Sequence, residues 1–267
     1  DLAQKFKKLF LDNIENFADI EIAGPGFINI KLSNSALIKN INFILENNKK
    51  YGSFKSNKTY NIEFVSANPT GPMHVGHCRG AIYGDVLANL LKFNGNKVTK
   101  EYYINDYGNQ IKNFVESVHH RIIEIKEKKP FPNKENLYPG EYIKDIAKDI
   151  LNENKELNLT DFDKNFDFLK NKSLEASMNL IKDDLKKLGI SHDNFLSETD
   201  IVNKNMVDKA INNLKEKNYV EEGYLDPPKG ENIKDWKKVK RLIFKSTLFG
   251  DDTDRALQKN DGSWTYF

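Results

Sequence analysis

A single cysteine, Cys78, stands among 267 residues. One thiol excludes an internal disulfide framework and every zinc site assembled from several thiolates, and it suits a reducing compartment. Tryptophan is scarce, with 2 residues, and all but 4 of the 41 basic side chains are lysine. No apolar run approaches the roughly 18–20 residues that span a bilayer, and the N-terminus lacks the basic-then-apolar pattern of a signal peptide, so a cytoplasmic chain without a membrane partner is expected. An excess of charge of one sign is missing too: 41 basic against 39 acidic residues leave a formal net charge of +2. A polybasic, histone-like mode of binding is thereby excluded, and any contact with nucleic acid has to come from local patches. What is present is 39% hydrophobic and 30% charged residues, the balance of a soluble globular chain, long enough for one large domain or two.

Helical spacing around Phe6, Leu9 and Phe10 precedes Ile20–Leu32, which alternates about Gly24-Pro25-Gly26 as strands do around a turn. A helix is predicted from about Ser35 to Asn47. The Lys-rich, unpatterned stretch 48–58 reads as a linker, or as a basic loop touching nucleic acid, and a domain boundary is placed near residue 55. Beyond it, Thr59–Val65 is β-like, a Pro/Gly-rich turn covers Asn68–Pro72, and Ile82, Val86, Leu90 and Phe93 recur at helical spacing before Gly95. Lys97–Ile104 is a second strand, so strand, helix, strand predicts a βαβ unit of a parallel sheet. Helical patterns continue over Ile111–Ile122, Ile143–Leu151, Asn165–Leu188 and Ile201–Asn218, with a loop at Pro130-Phe131-Pro132. Residues 219–267 read as hairpins leading back to the sheet at Trp264–Phe267.

The chemistry concentrates in Glu63-Phe64-Val65-Ser66-Ala67-Asn68-Pro69-Thr70-Gly71-Pro72-Met73-His74-Val75-Gly76-His77. Two histidines separated by two residues fall where the first strand of the unit turns into its helix. Their ring nitrogens and the helix N-terminal N–H groups can converge on an anion, in outline an ATP phosphate. Gly71 and Gly76 would let the backbone approach a nucleotide, while Pro69 and Pro72 stiffen the turn. His74 and His77 would donate hydrogen bonds where negative charge grows on an attacked α-phosphate. Without more context, a pair of histidines can equally cap a helix, Glu63 can be a solvated strand end, and Asn68 an Asx turn before Pro69.

The context is supplied by several motifs in order. The sequence resembles the bacterial-type arginyl-tRNA synthetases, class I enzymes whose HIGH motif corresponds to His74-Val75-Gly76-His77. The resemblance runs through Glu63–Asp85, Glu101–Gln110, Phe249–Arg255 and Asp261–Tyr266. It implies a Rossmann-like α/β catalytic domain with helical and β insertions over residues 56–267. Residues 1–55 would be the remnant of an α+β added domain that contacts tRNA. It implies activation of L-arginine by ATP with Mg2+ and transfer to tRNA(Arg), by a protein expected to be a monomer. Glu63, Asn68 and Tyr266 match the arginine pocket, Asp106 and Gln110 would line it, and Phe27 and Asn29 fall where the added domain reads an unpaired base by stacking. By chemistry alone, Tyr266 reads as a core strand aromatic, and Phe27 either as an exposed contact for a base or as a buried residue of a small β core. The chain starts without Met and stops inside the expected pocket. It lacks a KMSKS-type run and anything assignable to an anticodon-binding domain, so it is read as a fragment, expected to be inactive alone.

Two rivals follow from the same residues: a nucleotidyltransferase using HxGH on another acceptor, and a synthetase-derived RNA-binding module without catalysis. Cys78 reads as a small helix residue packing under the site. His119, His120 and His192 read as solvated surface. Asp251, Asp252 and Asp254 read as a turn with an ion pair to Arg255, and no metal ligand is assigned.

Overall fold

Local periodicity decides most elements of the computed structural model, which describes residues 2–14, 17–225, 239–259, 262, 264 and 265. The chain divides into two units, Asp1–Asn61 with Val86–Val98, and Ile62–Asp85 with Thr99–Phe267.

In the first unit, helix α1 (Leu2–Asn13) precedes an antiparallel hairpin of β1 (Phe17–Ala23) and β2 (Phe27–Leu32), followed by α2 (Asn34–Asn47). Gly24 and Gly26 take φ of 57° and 123° in the hairpin turn, a region closed to most side chains. Ser33 starts α2 by accepting the Ala36 N–H on its hydroxyl at 3.2 Å. The stretch read as a linker is ordered at its end: the N–H groups of Ser56 and Lys58 donate to the Asn94 carbonyl (3.0 Å) and Asn96 Oδ1 (3.1 Å). Its partners lie about forty residues on, so the sequence shows no pattern there.

Strand β3 (Thr59–Glu63), helix α3 (Val75–Phe93) and strand β4 (Lys97–Ile104) realise the predicted strand, helix, strand order. In the second unit β5 (Asn194–Ser197) joins them in the order β3-β4-β5, and β4 and β5 are parallel from Glu101↔Asn194 to Ile104↔Ser197. Between β4 and β5 lie α4 (Asn109–Glu127), α5 (Glu141–Glu153) and α6 (Phe162–Lys187), which bury Ile111, Phe114, Val118, Ile143, Ile150 and Leu169 against one another. The far half of α6 supplies Met178, Ile181 and Leu185 to a second cluster with Phe64, Ala81 and Tyr102. Beneath that cluster an ion pair of Lys100 and Asp85 at 2.6 Å fastens α3 to β4. The backbone of Lys100 also exchanges 2.8 Å bonds with Asp193, which sets β5 against β4.

The helix predicted over 201–218 is two helices, α7 (Glu198–Asn203) and α8 (Met206–Glu216), because Asn205 enters the left-handed region at φ 53°. Strands β6 (Val220–Gly223), β7 (Arg241–Phe244) and β8 (Arg255–Ala256) are antiparallel, as hairpins should be. Among the described residues, however, they form their own sheet over Ile211, Leu242 and Leu257 instead of returning to the first. Trp264 makes a single antiparallel bridge to Gln258. Arg255 grips both carboxylate oxygens of Asp251 at 2.6 and 2.7 Å and holds that carboxyl well below its ordinary range, while Asp254 accepts the Thr247 N–H at 3.0 Å. The acidic cluster is thus the turn and ion pair read from sequence. No helix among the described residues is long and apolar enough to cross a membrane.

The histidines correct the sequence reading. His119 is only 8% exposed and donates from Nε2 to the Thr160 carbonyl at 3.0 Å. His192 packs at 4.2 Å between ring centroids on Phe64 and edge-on to Tyr102. His120 is half-buried, 3.5 Å from Glu116. Spacing in a charged helix cannot show that α5 and α6 cover one side of α4. Burial lowers the pKa of both His119 and His192. Lowered values mean that the unfolded chain binds more protons below the ordinary histidine pKa of about 6.5, so this contribution is present above that pH and is lost on acidification. The thermal midpoint should therefore fall between pH 7.5 and 5.5, and fall less in His192→Gln; equal midpoints at both pH values in the unsubstituted chain would refute the assignment.

Candidate active site

Between the end of β3 at Glu63 and the start of α3 at Val75 the chain makes a turn of unusual shape. Val65 and Ser66 have φ of 69° and 40°. A β-branched residue in the left-handed region is a real outlier, and each such residue costs on the order of 1–3 kcal/mol, so the surroundings must over-determine the turn. They do so through bonds to nearly every free group. The Ser66 hydroxyl donates to the Glu63 carboxylate and accepts the Tyr103 N–H at 3.0 Å. The Ser66 carbonyl accepts from Asn105 Nδ2 at 3.1 Å, and the Ala67 carbonyl from the buried Tyr102 hydroxyl at 2.8 Å. Burial pushes the Tyr102 hydroxyl well above its usual range, so it remains a donor. The Thr70 carbonyl accepts from the Tyr142 hydroxyl of α5 at 2.8 Å.

Phe64 anchors the start of the turn. Its ring lies between His192 and Gly84, and a Cβ built on Gly84 would come within 2.3 Å of the Phe64 ring.

The turn delivers His74 and His77 as a stacked pair, with ring centroids 3.6 Å apart and planes 19° from parallel. His74 Nδ1 accepts the Gly76 N–H at 3.1 Å, and His77 Nδ1 accepts the His74 N–H at 3.4 Å. Both Nδ1 atoms act as acceptors, so in the neutral rings Nε2 carries the proton. Partial burial, with the His74 ring beside it, lowers the His77 pKa, because two stacked imidazoles resist double protonation. The pair thus presents two Nε2 donors at the N-terminus of α3.

Gly71 and Gly76 do not simply open the backbone. A Cβ on Gly71 would meet the Tyr142 ring at 2.9 Å, and one on Gly76 would meet the His74 ring at 3.0 Å. The space expected for an approaching nucleotide on the side-chain face of these glycines is filled by the protein's own rings, and the Gly76 N–H is already given to His74 Nδ1.

Of the residues assigned to the amino-acid pocket, Asn68 and Gln110 are brought together, Nδ2 to Oε1 at 2.7 Å, and Glu63 and Asn68 are exposed at the carboxyl end of the sheet. Asp106 spends its carboxylate elsewhere: Oδ2 accepts the Ser197 hydroxyl at 2.6 Å and Oδ1 accepts the Thr199 N–H at 2.8 Å, closing the β5–α7 junction. Tyr266 lies outside the described residues. Cys78 is half-buried in the first turn of α3. In the first unit, Phe27 is 70% exposed on β2, with Asn29 also exposed two residues on, so Phe27 is not a core aromatic. Among the described residues no group of three or more His, Cys, Asp or Glu could hold a metal ion. Sequence reasoning missed Ser66, Tyr102, Asn105 and Tyr142. Each acts through a partner 35 to 72 residues away or on a backbone atom, which no local spacing reveals.

A family model for the catalytic domain of class I tRNA synthetases (R) matches residues 40–267. The chain is 52% identical over 273 residues to the arginine-tRNA ligase of Pelagibacter ubique, covering 100% of this chain and 47% of that protein. It is 45% identical over 264 residues to that of Anaplasma phagocytophilum, covering 96% and 44%. A crystal structure from Campylobacter jejuni, assigned as an arginyl-tRNA synthetase, superposes with a TM-score of 0.72 at 31% identity over 88% of this chain and 48% of that one. The arginyl-tRNA synthetase of Plasmodium falciparum shares the fold, with a TM-score of 0.59 at 20% identity, over 98% of this chain and 44% of that one. The architecture is that of a class I synthetase catalytic domain. The chain belongs to the class I tRNA synthetase (R) family, and it spans about half the length of the curated relatives it matches.

The Phe64–Gly84 contact makes a sharp prediction. Alanine is favoured over glycine in a helix by about 1 kcal/mol, yet overpacking a filled site costs roughly 1–3 kcal/mol, and here the clash is with the body of a ring that His192 holds from the other side. Gly84→Ala should therefore lower unfolding free energy in denaturant titration, and a gain would show that Phe64 is free to move.

Proposed function

We propose that this sequence is part of an arginine-tRNA ligase. In this reading a carboxylate oxygen of L-arginine attacks the α-phosphorus of ATP, pyrophosphate leaves, and the arginyl group of the adenylate passes to the 3′-terminal ribose of tRNA(Arg). The observation that carries it is the stacked His74–His77 pair at the N-terminus of α3, eleven residues after an exposed carboxylate at the end of β3, in a chain of this family. Two Nε2 donors and the first N–H groups of α3 suit the charge that grows on phosphate oxygens, and they need no protein-derived nucleophile. Gly71 would contribute a backbone N–H to the nucleotide, while Gly76 would serve it by fixing the His74 tautomer through its own N–H. Magnesium would arrive with the nucleotide, and no residue of this chain is assigned to it.

Glu63 would meet the substrate's cationic groups, with Asn68 and Gln110 beside it and Tyr266 as a further pocket residue, while Asp106, its carboxylate held by Ser197 and Thr199, would only brace the pocket wall. A carboxylate is the natural partner for a guanidinium, which is always charged and presents forked donors. Residues 56–267 would form the catalytic part. Residues 1–55 would contact tRNA, with exposed Phe27 stacking on a base and Asn29 hydrogen-bonding to its edge. A cytoplasmic monomer fits this role.

The test is arginine-dependent exchange of pyrophosphate into ATP by the full-length polypeptide with magnesium and tRNA(Arg) present; no exchange would overturn the reading. His77→Ala should slow activation by about 10²–10³, the scale for one lost charge-stabilising donor, with a far smaller change in ATP affinity. Unchanged exchange would remove His77 from the machinery. Glu63→Gln should weaken arginine activation and narrow its margin over lysine, a margin that hydrogen-bonding sites can raise to about 10⁴. Wild-type arginine affinity in Glu63→Gln would return Glu63 to the scaffold.

A further inference from the structure

We infer that Tyr142 is a positioning residue for the His74–His77 pair, and that through it the α4–α6 helices set the geometry of the turn that carries activation. The inference rests on the proposed function for its kinetic consequence, while its structural half stands alone.

Three observations converge on one side chain. The Tyr142 hydroxyl donates to the Thr70 carbonyl at 2.8 Å, four residues before His74. Its ring fills the space of an absent side chain at Gly71, within 2.9 Å of where a Cβ would stand, and again at Gly140, where a Cβ would come within 2.4 Å. The same ring packs against the buried cluster of α4, α5 and α6 that holds Phe114, Ile143 and Leu169. Tyr142 is therefore fixed at its base by a core and at its tip by the turn.

The linkage to the histidines is short and stiff. Thr70 N–H donates to the Asn68 carbonyl at 2.7 Å, so the residue whose carbonyl Tyr142 holds is bonded back, through its other peptide, to the residue assigned to the substrate. Pro72 fixes φ two residues further on, Met73 packs on the cluster with Phe64 and Tyr102, and His74 follows. Little slack remains between Thr70 and the His74 backbone, whose N–H is the partner of His77 Nδ1 and whose carbonyl accepts the His77 N–H at 2.9 Å. Releasing the Thr70 carbonyl removes the hydrogen bond by which α5 holds the second half of the turn. Displacement of a reacting group by about 1 Å can cost on the order of 10² in rate. Burial pushes the Tyr142 hydroxyl up from its usual pKa, so it remains a donor throughout the working range.

The experiment compares the full-length polypeptide with Tyr142→Phe and Gly71→Ala, by arginine-dependent pyrophosphate exchange and by hydrogen–deuterium exchange of peptides covering 66–78. Tyr142→Phe keeps the ring and its core contacts and removes only the hydroxyl. It should lower kcat about tenfold or more at nearly unchanged KM for ATP, the pattern of a lost alignment instead of lost binding. Exchange at 66–78 should quicken while peptides from α4 and α6 keep their protection. Gly71→Ala pushes on the same ring from the other side and should reproduce both effects. Kinetics within twofold of wild type, or unchanged exchange at 66–78, would overturn the inference; so would a loss matched by faster exchange throughout α4–α6, which marks a merely structural role. A wild-type protein without pyrophosphate exchange would refute the proposed function instead, and the deuterium readout would still decide whether Tyr142 holds the turn.

Discussion

Two consecutive left-handed residues, Val65 and Ser66, bend the chain where β3 ends, and much of the second unit is organised around making that bend the only conformation available. Neither residue favours it by itself. What stabilises it comes from β4 through Tyr102 and Tyr103, from Asn105 just beyond it, and from α5 through Tyr142, with Phe64 packed against His192 and Gly84. A group that is wedged and hydrogen-bonded from several directions does not need to be flexible, so the strain becomes a fixed offset between the sheet edge and the start of α3. That offset sets where His74 and His77 stand.

The histidine pair shows why the capping reading and the functional reading of such residues need not compete. Each Nδ1 accepts a backbone N–H at the start of α3, which is what a capping side chain does. That same bond fixes the tautomer and leaves the proton on Nε2, at the ring edge away from the cap. Partial burial and the His74 ring stacked at 3.6 Å then disfavour the charged form of His77. A neutral donor does not hold phosphate oxygens as tightly as a cation before reaction, which suits a group whose contribution should grow as charge develops.

Legibility in the sequence followed the range of the interactions. β4 and α3, with ends near Gly95 and Ile104, were readable because periodicity and glycine stops are local signals. The break at Asn205 was not, since asparagine is only an occasional left-handed residue and the apolar spacing runs on across it. His119 and His192 were misread because their burial comes from Thr160, Phe162 and Phe64, which no helical wheel places near them. At the site, Glu63, Asn68, His74 and His77 sit within fifteen residues and carry a motif. Ser66 and Tyr142 work through hydrogen bonds that need the tertiary structure to be seen at all. Asp106 illustrates the converse: its place after β4 at the sheet's carboxyl edge was visible, but the Ser197 and Thr199 donors that claim its carboxylate arrive ninety residues later.

The polar groups of the site are already engaged with one another, Ser66 with Glu63 and Asn68 with Gln110. A substrate that uses them exchanges partners and does not add bonds. Exchange between neutral groups is worth only about 0.5–1.5 kcal/mol, whereas a hydrogen bond to a charged group reaches about 1.5–3 kcal/mol. Selectivity in the proposed reaction must then lie chiefly with Glu63, the charged member, and Asn68 and Gln110 would act by keeping the right shape and rejecting side chains that leave them unpaired. Ser66 joins that task to the backbone strain. Its hydroxyl steadies the same carboxylate that would face the guanidinium, while its carbonyl and N–H hold the left-handed bend. A residue held in the left-handed region therefore positions the charge on which recognition would depend, and a change that relaxed the bend would also move the carboxylate.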